Sequence, residues 1–253
     1  MSWLSGIIGG GIGAMIAGPF GALIGAAIGA NMGGGNTQPG NSIGFSNAQR
    51  KQALFFTAAF SMVGKLAKAD GRVCEDEIAT IERISREALG LDDQTRKFAL
   101  GVFSRAKDSH ESFADYAGQF GGLFWQEQQL CSFMMNFLFE VALADGKLHP
   151  AEEEMLLQAK QAFRLPDSVY QTIRSRHSGA GAASPLSLEK HYAVLGVPQG
   201  ASKAEIKKAY RLKVSEFHPD KIEGKGLPPE FIKFANDKVS EINGSYDAVM
   251  KTL

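Results

Sequence analysis

Near the C-terminus, His218-Pro219-Asp220 places an imidazole and a carboxylate on either side of a residue that interrupts helices. Proline fixes φ at about −65° and has no N–H to donate, so a helix arriving at His218 stops there and the chain turns. Asp220 then lies beyond the ring with its carboxylate free, because no helix start at that position needs capping. The chemistry on offer is recognition by a rigid polar tip. No Ser/His/Asp or Cys/His constellation accompanies it, and no phosphate-binding loop is present. The chain is therefore read as not an enzyme, and as unable to hydrolyse ATP itself.

The flanking elements explain how the tip is held. Ser202 is placed to cap a helix, with Glu205 three residues on completing a capping box. Along that helix Ile206, Tyr210, Val214 and Phe217 share one apolar face, while Lys203, Lys207, Lys208 and Arg211 occupy the rest. Before it, His191 to Val197 reads as a short apolar helix ended by Gly196 and Pro198. After it, from about Pro229, Phe231, Ala235, Val239, Ile242, Tyr246 and Val249 recur at helical spacing. The simplest packing is two antiparallel helices joined through the tip, with the short helix crossing them.

Four motifs, Tyr192-x-Val194-Leu195-Gly196-Val197, Ile206-Lys207-x-Ala209-Tyr210-Arg211, His218-Pro219-Asp220-Lys221 and Ile242-Asn243-x-x-Tyr246, resemble the J domain of DnaJ-type co-chaperones from Leu188 to the end. The resemblance implies that His218, Pro219, Asp220 and Lys221, with Lys203, Lys207, Lys208 and Arg211, dock on a DnaK-type chaperone and accelerate its ATP hydrolysis. Leu212-Lys213 departs from the pattern, since such domains carry a basic residue followed by a core leucine. One apolar contact to the third helix is then weaker, or made by the lysine stem. The Gly/Phe-rich and cysteine-rich zinc modules of full DnaJ are absent, which moves client choice elsewhere.

Upstream, apolar residues fall at helical spacing in Gln49–Ala69, around Ile78, Ile81 and Ile84, in Phe98, Val102 and Phe103, and from Leu130 to Leu143, with no useful period-two alternation. Ala67-Lys68-Ala69-Asp70-Gly71-Arg72-Val73 repeats as Ala142-Leu143-Ala144-Asp145-Gly146-Lys147-Leu148, with Glu77 matched by Glu152. A calcium loop fails on ligands, because Leu66, Lys68, Val141 and Leu143 stand where side-chain oxygens are needed. Helix, glycine turn, helix explains both copies: the glycines suit a left-handed cap, and Glu77, Glu152 and Glu153 fall at the positive end of the next helix. A divalent-metal site from Asp70, Glu77, Asp145 and Glu152 requires the two copies to face each other; no other cofactor is called for. The repeat resembles the TerB-like domain of tellurite-resistance proteins over Arg50–Arg176, which implies a helical bundle with a metal- or partner-binding role. His110, His149 and His177 are read as surface or capping residues, and Phe120, Phe124, Trp125 and Phe133 as core.

Residues 1–49 carry no ionisable side chain, and 1–32 exceed the roughly 20 residues needed to cross about 30 Å of hydrocarbon. A single membrane span is the leading reading, with a hairpin or peripheral arrangement as the alternative because Pro19 and many glycines interrupt it. Gly21, Gly25 and Gly29 lie along one face where a second anchor helix could approach, giving a homodimer. Arg50 and Lys51 follow the span and put the C-terminal side in the cytoplasm.

The chain is thus expected to be all-α: a membrane anchor (1–32), a Gly/Asn/Gln/Ser linker (33–48), a TerB-like domain (49–177), a second linker (178–187) and a J domain (188–253). A formal net charge of +0 gives no bulk field for nucleic acid. Cys74 and Cys131 form no Cys-x-x-Cys and read as small apolar residues of a reducing compartment. Together the parts resemble the membrane-anchored DnaJ-like co-chaperones of the Gram-negative inner membrane, with lipid and a DnaK-type chaperone as partners. The competing reading is a metal-responsive or scaffolding membrane protein whose J domain only recruits.

Overall fold

The computed structural model describes residues 18–23, 46–69, 81–144, 146–178 and 188–253, and these are all helix, turn or loop. Helix starts follow from local chemistry. In α1 (Asn47–Leu66) the Ser46 hydroxyl accepts from the Gln49 N–H at 3.2 Å, and the Gln49 side chain accepts from the Ser46 N–H at 3.0 Å. Asp92 caps α2 (Asp93–Asp108), where the bond from the Thr95 N–H holds its carboxyl below the usual range. Ser112 and Asp115 repeat the reciprocal cap on α3 (Phe113–Phe124). Next come α4 (Gln128–Ala142), α5 (Pro150–Ala162) and α6 (Asp167–Ser178). A π-turn at Ile84–Ala88 precedes α2 and closes through the Leu89 N–H on the Ile84 carbonyl at 3.0 Å.

Two helices run through the middle of the molecule. Ala53 to Gly64 of α1 and Leu130 to Phe139 of α4 are buried on every side, and a helix apolar all round needs neighbours all round. Helices α2 and α3 cover two flanks of α1. At the α1–α2 crossing Gly64 lets the backbones touch, since a Cβ there would meet the Phe103 carbonyl oxygen at 2.7 Å. The remaining flank is covered by the C-terminal region: α7 (Leu188–Leu195), α8 (Lys203–Phe217), the short α9 (Pro219–Glu223), a 3-10 turn at Pro229–Phe231 and α10 (Ile232–Met250).

Three C-terminal phenylalanines enter the central aromatic cluster. Phe231 is fully buried and meets Phe55 and Phe137 edge-on at 5.3 and 5.2 Å. Phe234 packs edge-on against Phe133 at 5.4 Å, and Phe217 lies 6.1 Å from Phe133. Polar contacts ring this core. Lys238 Nζ bonds Glu140 at 2.9 Å and Glu241 at 3.3 Å. Burial opposes its charge, but the two carboxylates more than offset this and raise its pKa. Lys233 donates to the Glu87 carbonyl in the π-turn, and Glu127 faces Lys51 at 3.5 Å and Lys225 at 3.8 Å. The separation at residues 178–187 seen in the sequence is therefore not a separation of cores.

Two local expectations are corrected. Trp125 is 39% exposed, with the Arg164 guanidinium 4.6 Å over its ring, because it sits past the last buried turn of α3. His177 is buried, stacked 5.5 Å from Phe139 and 3.7 Å from Glu140, because α6 turns that face onto α4. His149 does precede α5, where its N–H donates to Glu152 at 2.9 Å. Cys131 is buried and donates to the Phe124 carbonyl, and burial pushes its thiol up to about 12. In a Cys74→Ser chain, a thiol reagent at about pH 8 should label nothing until denaturant is added; labelling of the native chain at the rate of free cysteine would contradict this.

Candidate functional site: the His-Pro-Asp tip and the basic helix

The tip is built as the sequence requires up to His218, which ends α8 with an extended ψ of 118°. Past His218 the chain departs from expectation. Pro219 opens the five-residue helix α9, and Lys221 and Ile222 both donate to the His218 carbonyl. Proline is pre-organised for a first helical position, so the residue that ends one helix starts the next. Asp220 thus lies in a helical first turn. Its side chain is still 86% exposed, with Oδ2 3.9 Å from His218 Nδ1. That nitrogen is buried and makes no hydrogen bond. The fully buried Phe217 and Ile222 clamp the tip from both sides.

Ser202 caps α8 as expected: its N–H donates to Glu205 at 2.8 Å and its hydroxyl accepts from the Glu205 N–H at 3.3 Å. Hydrogen bonds from the Ser202 hydroxyl and N–H hold the Glu205 carboxyl below the usual range. Gly196 ends α7 at φ +71°. Tyr210 and Tyr246 stack at 4.2 Å, and the Tyr210 hydroxyl donates to Asn243, which fixes α8 against α10.

Lys203, Lys207, Lys208 and Arg211 are all exposed, on the side of α8 turned away from the aromatic core. Lys221 is exposed too, but its amine donates to Ser215 at 2.7 Å, so it is drawn back across the tip. Leu212 is 62% exposed and adds an apolar spot between the cations. Lys213 is only 8% exposed; its stem lies beside Gly196 and its amine is 3.6 Å from Glu216. The lysine stem is thus buried toward the end of α7, with its charge kept beside a carboxylate.

Of the metal candidates, Asp70, Glu77 and Asp145 lie outside the described residues, and Glu152 is engaged at the start of α5. Among the described residues no group of three or more His, Cys, Asp or Glu could hold a metal ion. Gly25 and Gly29 also lie outside the described residues, as does most of the stretch 1–32 expected to span; Gly21 is described and buried. No described helix is long and apolar enough to cross a membrane.

A helical hairpin with an exposed His-Pro-Asp tip and an open basic face, mounted on an all-helical bundle, defines a J-domain protein with a TerB-type domain. Residues 190–250 match the DnaJ domain family and residues 56–175 the family of tellurite resistance protein TerB. The chain is 31% identical over 227 residues to Co-chaperone protein DjlA of Photobacterium profundum, covering 81% of this chain and 80% of that one. Identity to the Co-chaperone protein DjlA of Shewanella oneidensis is 30% over 222 residues, with 84% of each covered. For Salmonella typhimurium it is 32% over 221 residues, with 81% and 82% covered. The chain belongs to the DjlA co-chaperone family. No solved structure matches it.

Signals for Phe217, Phe231 and Phe234 as an anchor to the middle domain are present in the sequence but unspecific. Adjacent Phe55-Phe56 and the run Phe133 to Phe139 demand partners on several sides without saying which.

Proposed function

We propose that the chain is a membrane-tethered regulator that docks on a DnaK-type chaperone through His218, Pro219 and Asp220 and through Lys203, Lys207, Lys208, Arg211 and Lys221. Docking stimulates the ATPase of that chaperone and directs it to membrane-proximal clients. The observation that carries this is the sidedness of the J domain: the middle domain buries Phe217, Phe231 and Phe234 while the tip and cations stay open. Each exposed cation contributes about 0–1 kcal/mol, so the basic face steers and orients a weak, salt-sensitive encounter. The tip then acts as the signal, and the hydrolytic groups belong to the partner. The uncharged stretch 1–32 supports an inner-membrane anchor with the folded domains in the cytoplasm.

In a steady-state DnaK ATPase assay the full chain should stimulate turnover, and His218→Gln should remove at least about 90% of the stimulation with an unchanged melting curve. Equal stimulation by the variant would end this reading of the tip. Doubling the ionic strength should weaken apparent affinity without lowering the maximal rate.

A further inference from the structure

The six described N-terminal residues, 18–23, are seated on the middle domain. Phe20 is completely buried and Leu23 is 6% exposed. The Phe20 ring stacks on Tyr116 of α3 at 5.8 Å and 16°. Its N–H, freed at the start of the helical stretch 19–23, donates to the Gln119 side-chain oxygen at 3.1 Å. Gly18 adopts φ +89°, and a Cβ there would stand 2.9 Å from Gln119 Nε2, so the backbone closes over that amide as only glycine permits. Tyr116 is itself fixed by its hydroxyl, 2.9 Å from Ser109. Tyr116 and Gln119 lie three positions apart, on one face of α3, and together they take a ring, an N–H and a tight turn from one short stretch.

Phe20 lies well inside the stretch whose sequence can cross a bilayer. With Phe20 held, the apolar flanks are Trp3–Gly18 and Ile24–Met32, and each is shorter than the roughly 20 residues a helical span requires. One Phe20 cannot occupy both places. We propose that the Tyr116–Gln119 face of α3 is a receptor for the chain's own N-terminal apolar segment, and that docking of Phe20 there and insertion of residues 1–32 into a bilayer are mutually exclusive states. The inference rests on the membrane-tether reading of residues 1–32. It gives the middle domain a role of its own: it competes with lipid for the anchor and sets the fraction of chain at the membrane.

The test uses the full chain with p-benzoylphenylalanine in place of Phe20, irradiated with and without vesicles of phosphatidylethanolamine and phosphatidylglycerol. Without vesicles the crosslink should map to the α3 peptide holding Tyr116 and Gln119. With vesicles in excess it should fall about five-fold or more and give way to lipid adducts. With natural Phe20 and limiting lipid, Gln119→Ala should raise the fraction floating with vesicles about two-fold; Tyr116→Leu should do the same, each checked by its melting curve. Loss of folding in Tyr116→Leu leaves the crosslink and Gln119→Ala to decide. No α3 crosslink without vesicles, or an unchanged yield on chain that floats fully, overturns the competition. A chain that never floats overturns the membrane tether and the competition with it, while its α3 crosslink still reports whether Phe20 docks.

Discussion

Phe231→Ala should destabilise the protein by about 3–5 kcal/mol, the range for truncating a buried phenylalanine, and lower the melting midpoint by about 10 °C. Phe231 is fully buried and meets Phe55, Phe56, Phe133 and Phe137 together. Its loss opens a hole where α1, α4 and α10 converge, and rigid rings on three sides limit collapse into it. The effect should reach the tip. The loop from Gly224 to Pro228 links α9 to Phe231, with Gly226 at φ +108° resting on the Lys51 stem, so removing the anchor loosens the far side of the His-Pro-Asp turn. Stimulation of DnaK should fall although no docking residue has changed, and Phe231→Leu should recover most of both properties. A change below about 1 kcal/mol in a denaturant melt would show that the two domains are independent.

Gly121→Ala should cost about 3 kcal/mol or more, at the upper end of overpacking penalties. Helix α3 crosses the end of α5 at Gly121, where an added Cβ would collide with the Ala162 carbonyl oxygen and stand 3.3 Å from the Phe163 nitrogen. Those are backbone atoms, so α3 and α5 must part. The same helix supplies its own controls: Gly118 and Gly122 have nothing within 4 Å of an added Cβ, and alanine there should stabilise by roughly 0.5–1 kcal/mol. Melting curves of the three variants should therefore differ in sign. If Gly121→Ala melts with the other two, the close approach of α3 and α5 is wrong.

The features legible in the residues are the local ones. The Ser202 and Glu205 cap, the stop at Gly196, the break at Pro219 and the apolar faces of α8 and α10 depend on neighbours within a few positions, and the structure contains each of them. Asp220 defies its spacing because a proline that ends a helix can also begin one, and only the following turn decides. Long-range packing is hidden. Phe231 fits the helical spacing of the residues that follow it, yet it lies in the 3-10 turn before α10, and nothing in its spacing says that it points into the middle domain. His177 is a surface residue by its type, yet the angle at which α6 meets α4 buries it. Lys213 shows the opposite: a departure from pattern flags the position, and the structure buries its stem beside Gly196.

The aromatic cluster shared by α1, α4, α8 and α10 bears on how such a protein can be recombined. A J domain transplanted from a chain lacking phenylalanines at positions 217, 231 and 234 would bring a complete tip and leave a ring-lined hollow beneath it. Donor and recipient would have to match at those three places as well as along the docking face.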